Sequence, residues 1–352
     1  MEILELAACV FGLVFLLGDI SLVIACSAMH LERGGLAGGW VQGGFTLGLF
    51  FVAGLITNLF HFFGHEWQRM AQRSFGGKAK CYLLLAVPCS SLLRWYIRRF
   101  RDPQSLSLRC WASSLRLFYC TGTFMQAVLQ SYVVVHLWWE QDLPVHYVYV
   151  PLVAGVVLTL HAIYGVSDYI WTEYYDETHR TLPALDYLLI LSALTLNMGG
   201  RVAAMAVVMG TMGWYWLALA ALSPLLINYT VYIVQGAPFA ASRGAQVWLL
   251  IFMLPLGFLS AIFVSEKREL TVITTLAWLG CSVPQIYMYH ETHSEWLAWS
   301  IPAAGQVLAL VIMMARWSVF ESAFERFGRL ARVNQFVRVP TKEPGNIEEA
   351  VR

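Results

Sequence analysis

The sequence predicts an all-α polytopic membrane protein with eight transmembrane helices plus two re-entrant half-helix pairs, set in two pseudo-symmetric four-span repeats. Three observations carry that prediction. Of the 352 residues, 58% are hydrophobic and only 13% are charged, a balance that belongs to membrane chains rather than soluble domains. Apolar runs long enough to cross about 30 Å of hydrocarbon recur along the whole chain. Lys and Arg are sorted by membrane side. The net charge of +1 is therefore not gathered on one soluble face, and no nucleic-acid partner is expected.

The first span, Ile3 to Ala28, opens on the acidic MEILE. It lacks the basic leader and small-residue cleavage site of a signal peptide, and reads as a retained span. The second is Trp40 to Phe63. Next comes CYLLLAVPCSSLLRWYIRRF from Cys81, flanked by Lys78 and Lys80 on one side and Arg94, Arg98, Arg99 and Arg101 on the other. About 13 residues between Lys80 and Arg94 rise only about 20 Å as helix, and Pro88 with Ser90 and Ser91 breaks them near the middle. Residues 81–98 thus read as a re-entrant pair of half-helices. Trp111 to Trp138 and Tyr147 to Trp171 complete an N-terminal repeat over residues 1–176.

A C-terminal repeat over residues 177–316 follows the same order. Its spans are Pro183 to Thr211, Trp216 to Val234, Leu270 to Tyr289 and Trp296 to Ala315. The run from Val247 is long enough to cross, but Pro255 and Gly257 break it and SEKRE follows at once. Charge decides its reading. With residues 247–264 re-entrant and the amino terminus cytosolic, Arg33 lies outside and Arg116 and Arg201 lie within spans, leaving the other 20 of 23 basic residues in the cytosol. Were the run to cross, Arg316, Arg326, Arg329, Arg332, Arg338 and Lys342 would all lie outside, against the positive-inside rule. Two four-span halves are then parallel copies about an axis along the membrane normal, and both termini are cytosolic.

The tail, residues 317–352, begins as an amphipathic basic helix and ends as a disordered segment. Trp317, Phe320, Phe324, Phe327 and Leu330 recur at helical spacing, with Arg326, Arg329 and Arg332 largely on another face. That pattern suits an anionic inner surface and a regulatory role. It equally suits a last span that continues past the membrane with a solvated basic face.

Charges inside spans are expensive and mark partners or aqueous paths. Asp19 and Arg201 lie roughly 24 and 27 Å from the cytosolic ends of their spans, and Arg116 and Asp168 roughly 8 and 5 Å from theirs. Two rungs of charge are expected, one toward each leaflet. The plainer alternative is two buried ion pairs that hold helices in register, with the inner pair snorkelling. Gln126, Gln130, Asn197 and Asn228 add hydrogen-bonding groups that serve as interhelical glue as readily as a pathway.

Other chemistry has little footing. The cysteines lie in or beside predicted spans, so no structural disulfide is expected, while Cys81, Cys89 and Cys110 are acylation candidates. His61 with His65, and His290 with His293, supply two ligands each and no HExxH, so no metal is expected. The chain has no Walker loop, no GxSxG elbow and no cofactor domain, and is not expected to be an enzyme or to bind a cofactor.

The segment SLRLF followed by AVLQSYV resembles the third crossing of the XK-related membrane proteins, some of which are phospholipid scramblases. LLLAVPCSSLLRWYIRRF resembles that family's first half-buried helix pair, LLGDISLV its first helix, GVSDYIW its fourth crossing, NMGGRVAAMAVV its fifth, and SEKRELTVITTLAWLG the step before its penultimate helix. The likenesses occur in the family's order over nearly the whole chain. They depart from it at Tyr119 and Thr123, near which the family carries acids, and no Asp follows Asp186, so a protease that cuts the tail after Asp has no site.

The resemblance implies eight spans, two half-buried helix pairs, and ATP-independent movement of phospholipids between leaflets, at the plasma membrane in preference to an internal one. Its lipid-pathway candidates are Asp19, Arg116, Asp168, Arg201, Gln126, Gln130 and Asn197. The alternative is a non-catalytic membrane adaptor that docks a single-span subunit or a bridge-type lipid-transfer protein; a secondary transporter ranks third. Charge facing lipid favours scrambling, charge around a closed central cavity favours transport, and charge fully paired in the core favours the adaptor.

Overall fold

The computed structural model describes residues 2–35, 38–62, 75–101, 106–137, 144–178, 180–212 and 297–320, together with positions 272 and 276. The spans from Trp216 and Leu270, the break at residues 247–264, and Phe324, Arg326, Arg329 and Arg332 of the tail lie outside the described residues. The described elements are α1 (Glu2–Arg33), α2 (Gly39–His61), α3 (Phe75–Ala86), α4 (Ser90–Arg101), α5 (Leu106–Leu137), α6 (His146–Thr178), α7 (Ala184–Leu194), a π-helical turn (Thr195–Gly199), α8 (Gly200–Met212) and α9 (Leu297–Ala315). No strand occurs among them.

Four segments are both long and apolar enough to cross a membrane: Cys9–Arg33, Gly39–Leu59, His146–Thr172 and Ala184–Val207. Over its described residues the chain is all-helical, and these four segments mark it as a membrane protein. α1 shows why these segments pack as they do. Cys9, Gly12, Leu16, Asp19, Val23, Cys26, His30 and Arg33 are buried, a strict alternation of three- and four-residue steps that keeps one seam against its neighbours. Between them Val10, Phe11, Val14, Leu17 and Ile24 are exposed, as acyl chains allow. Because lipid tails are as apolar as leucine, the buried seam stabilises by close packing and polar contacts rather than by escape from water.

α5 is the centre. It packs against α1's partners α2 and α6, against α4 and against α8, and exposes no large hydrophobic side chain among its described residues. A helix enclosed by protein need not be apolar throughout, which is why it carries Arg116, Gln126 and Gln130 and is less apolar than the four lipid-facing segments. Small residues bring its neighbours close. Gly122 on α5 meets Ala53 on α2 with no room for a Cβ between them. Gly122→Val is expected to cost about 1–3 kcal/mol by overpacking, read as a lower melting temperature in detergent; an unchanged value would mean that the helices do not meet at Ala53.

The first predicted break is present. α3 ends at Ala86 and α4 starts at Ser90, with Pro88 between them and Cys89 at φ 61°. Breaking a helix at membrane depth frees backbone groups that lipid cannot satisfy. Asn58 of α2 satisfies both ends: its Nδ2 donates to the Val87 carbonyl at 2.7 Å, and its Oδ1 accepts from the Ser91 amide at 3.1 Å. Cys89 is buried here, which removes it from the acylation candidates. His61, the other polar end of α2, accepts from Trp95 Nε1 at 3.1 Å.

The predicted span from Pro183 is a helix interrupted by the π turn at Thr195–Gly199. Gln306 of α9 explains the interruption: its Nε2 donates to the Asn197 carbonyl at 2.8 Å while Asn197 Nδ2 donates to Gln306 Oε1 at 3.0 Å. A π turn leaves a carbonyl open to such a partner. Past α9, Trp317 packs against the core and Val319 and Phe320 are buried in it, so the start of the tail folds back onto the bundle. Arg316 and Asp186 clip the same corner at 3.1 Å.

Candidate functional site

Arg109, Arg116, Thr123, Gln126 and Gln130 follow one another along α5 at intervals of seven, seven, three and four residues. These spacings keep them on one face, and from Arg109 to Gln130 they rise about 32 Å, the width of the hydrocarbon core. All five are buried. The surrounding helices supply a polar partner at each level, so the site is a seam running the length of α5.

At one end, Arg116 Nη1 and Asp168 Oδ2 of α6 form an ion pair at 2.9 Å, close but not aligned as a hydrogen bond. Arg99 of α4 approaches the same oxygen at 4.0 Å. Arg116 Nε donates to the Tyr96 hydroxyl, and its guanidinium lies 4.9 Å and 4.8 Å from the ring centroids of Tyr96 and Tyr164, an arrangement that replaces lost hydration with ring electrons. Gly12 of α1 leaves the space in which Arg116 and Tyr96 sit. One turn and more below, Arg109 lies 5.2 Å from the Trp171 ring and 5.0 Å from that of Tyr175.

In the middle, Asp19 Oδ2 meets His161 Nδ1 of α6 at 2.5 Å and accepts from Thr123 Oγ1 at 3.2 Å. Phe15 stacks on the imidazole at 5.1 Å. Asp19, Tyr119, Thr123 and Gln126 line a cavity of ≈ 10 Å³, room for about one water. Asp19 Oδ1 and Gln126 Oε1 have no hydrogen-bond partner among the described residues. Toward the other end, Gln126 Nε2 donates to the Thr46 carbonyl and Gln130 Nε2 donates to Thr46 Oγ1 at 3.1 Å. His30 Nε2 lies 3.0 Å from Gln130 Oε1, and Arg33 donates to Gln42.

The structure therefore brings Arg116 to Asp168. The outer rung has a different form: Asp19 takes His161 as its partner, and Arg201 lies against the Phe124 ring at 5.9 Å. Asn197 belongs to the separate contact with Gln306. Neither rung faces lipid; Asp19, Arg116, Asp168, Arg201, Gln126, Gln130 and Asn197 are at most 5% exposed. His161, Tyr96, Arg99, Thr46 and Gln306 were not marked by the sequence. His161, Tyr164 and Asp168 stand at i, i+3 and i+7 on α6, which was the available signal for the first of them.

Among the described residues, the buried charged side chains include Arg33, Arg99, Arg109, Arg116 and Arg201 against two carboxylates, Asp19 and Asp168. No family model matches the chain and no curated protein matches it.

Proposed function

We propose that this protein is an XK-related phospholipid scramblase, a passive path along which headgroups move between leaflets without ATP. The observation that carries the reading is the seam on α5: polar groups at every level of a 30 Å core, with cationic side chains predominating. A phosphate-bearing headgroup passing along it exchanges one partner for the next while its tails stay in hydrocarbon. The ordered likeness of the segments around Asp19, Pro88, Arg116, Asp168 and Arg201 supports the family. In this reading eight spans and two re-entrant pairs form repeats over residues 1–176 and 177–316, both termini and the tail are cytosolic, and the plasma membrane is the site of action.

Access requires movement, because the seam is closed. α1 is the element to move: one face is packed, and it touches the seam through Gly12, Asp19 and His30. The second reading, a non-catalytic adaptor for a single-span subunit or a bridge-type lipid-transfer protein, is favoured by the complete burial of Asp19 with His161 and of Arg116 with Asp168.

The test is translocation of fluorescent phospholipid by purified protein in liposomes. Wild type is expected to move labelled lipid, and Arg201→Ala to slow it about tenfold, the effect of one lost contact of about 1.4 kcal/mol on the path. A monodisperse wild type that moves no lipid, with or without the tail after Trp317, rules the reading out in favour of the adaptor.

A further inference from the structure

α4 divides into three stripes, each repeating at i, i+4 and i+7. Leu92, Tyr96 and Arg99, with Trp95, face the bundle and are buried. Leu93, Ile97 and Phe100 are 40%, 46% and 57% exposed. Arg94 and Arg98 are half-buried and Arg101 exposed, on the side away from the buried stripe. Tyr82 and Leu83 of α3 and Val87 just after it extend the exposed apolar surface. This is the pattern of a helix held at a membrane interface, its apolar flank among acyl chains and its cations at headgroup level.

Charge selects the occupant. Between Trp67 and Trp139 the sequence has ten Lys and Arg and a single acid, Asp102. Arg98 is steadied over the Trp95 ring at 5.2 Å, so its guanidinium is partly ordered before any ligand arrives. Arg99 alone on this helix turns inward to Asp168, which separates the outer arginines from the buried seam.

We propose that the Arg94, Arg98 and Arg101 face of α4 binds anionic phospholipid headgroups, with the acyl chains lying along Leu93, Ile97 and Phe100. Guanidinium groups pair with phosphate through two parallel N–H donors, and a serine or inositol phosphate headgroup adds the negative charge that phosphatidylcholine lacks. The site holds a resident lipid beside the protein, whether or not lipids cross along α5.

The experiment is native mass spectrometry of the full chain in detergent with equal amounts of phosphatidylserine and phosphatidylcholine. Wild type is expected to retain phosphatidylserine preferentially. Each Arg→Gln change on the face should weaken that retention about fivefold, R94Q/R98Q/R101Q should abolish the preference, and the triple Lys variant should keep most of it. Equal retention of the two lipids by wild type overturns the proposal, as does an undiminished preference in the triple Gln variant. If that variant does not fold, R101Q alone is read against the same fivefold criterion, because Arg101 is exposed. The readout is headgroup selectivity, so it stays separate from failure of the scrambling assay.

Discussion

Asp168→Ala is expected to destabilise the protein by about 3–5 kcal/mol. The reason is the charge left behind. Arg116 sits 2.9 Å from Asp168 with no exposure of its own, and Arg99 approaches the same carboxylate from α4. Removing the acid leaves guanidinium charge in a low-dielectric interior, where breaking one partner of a buried pair costs several kcal/mol while replacing both by apolar groups of similar size costs little. Arg116→Met combined with Asp168→Leu should therefore recover most of the loss. Thermal unfolding of wild type, Arg116→Met, Asp168→Leu and the double variant in detergent gives the coupling directly. Near-additive losses would mean that the pair does not hold α5 to α6.

That pair was legible in the sequence because helix rise converts position into depth, and Arg116 and Asp168 match in depth on consecutive spans. The break at Pro88 was equally legible, since backbone chemistry at a proline is local. Depth carries no azimuth, however. Asp19 and Arg201 share a height, but Asp19 turns its carboxylate toward α6, where His161 waits on an otherwise apolar stretch. A single histidine in a span gives no pattern until the neighbouring helix is known.

Which way the charges face was not legible for a related reason. Composition cannot tell an enclosed helix from a lipid-facing one, and α5, the most polar of the long helices, is the enclosed one. Thr123 has a physical role of its own: the hydroxyl donates to Asp19, where a second carboxylate would face like charge. At Tyr119 the phenol lines the same cavity.

Asp19→Asn and Asp19→Ala should part company, and their difference tests whether the middle of the seam is structure or path. Two acceptors, Asp19 Oδ1 and Gln126 Oε1, border one water-sized cavity without a donor between them among the described residues. An asparagine keeps an oxygen for His161 and Thr123 and turns an NH₂ group toward the Gln126 oxygen, supplying the missing donor and removing a buried charge. Its stability should equal or exceed that of wild type, by up to about 1 kcal/mol for one added hydrogen bond. Alanine leaves His161 and Thr123 without their acceptor and enlarges the cavity, and should cost about 3–5 kcal/mol as a broken buried pair. If the carboxylate is a foothold for headgroups, the asparagine variant is the informative one: it melts no lower than wild type yet moves labelled lipid about tenfold more slowly, as loss of about 1.4 kcal/mol at the slowest step requires. A stable asparagine variant that scrambles at the wild-type rate would assign Asp19 to holding α1 against α6 and leave the passage of lipid to Arg116 and Arg201.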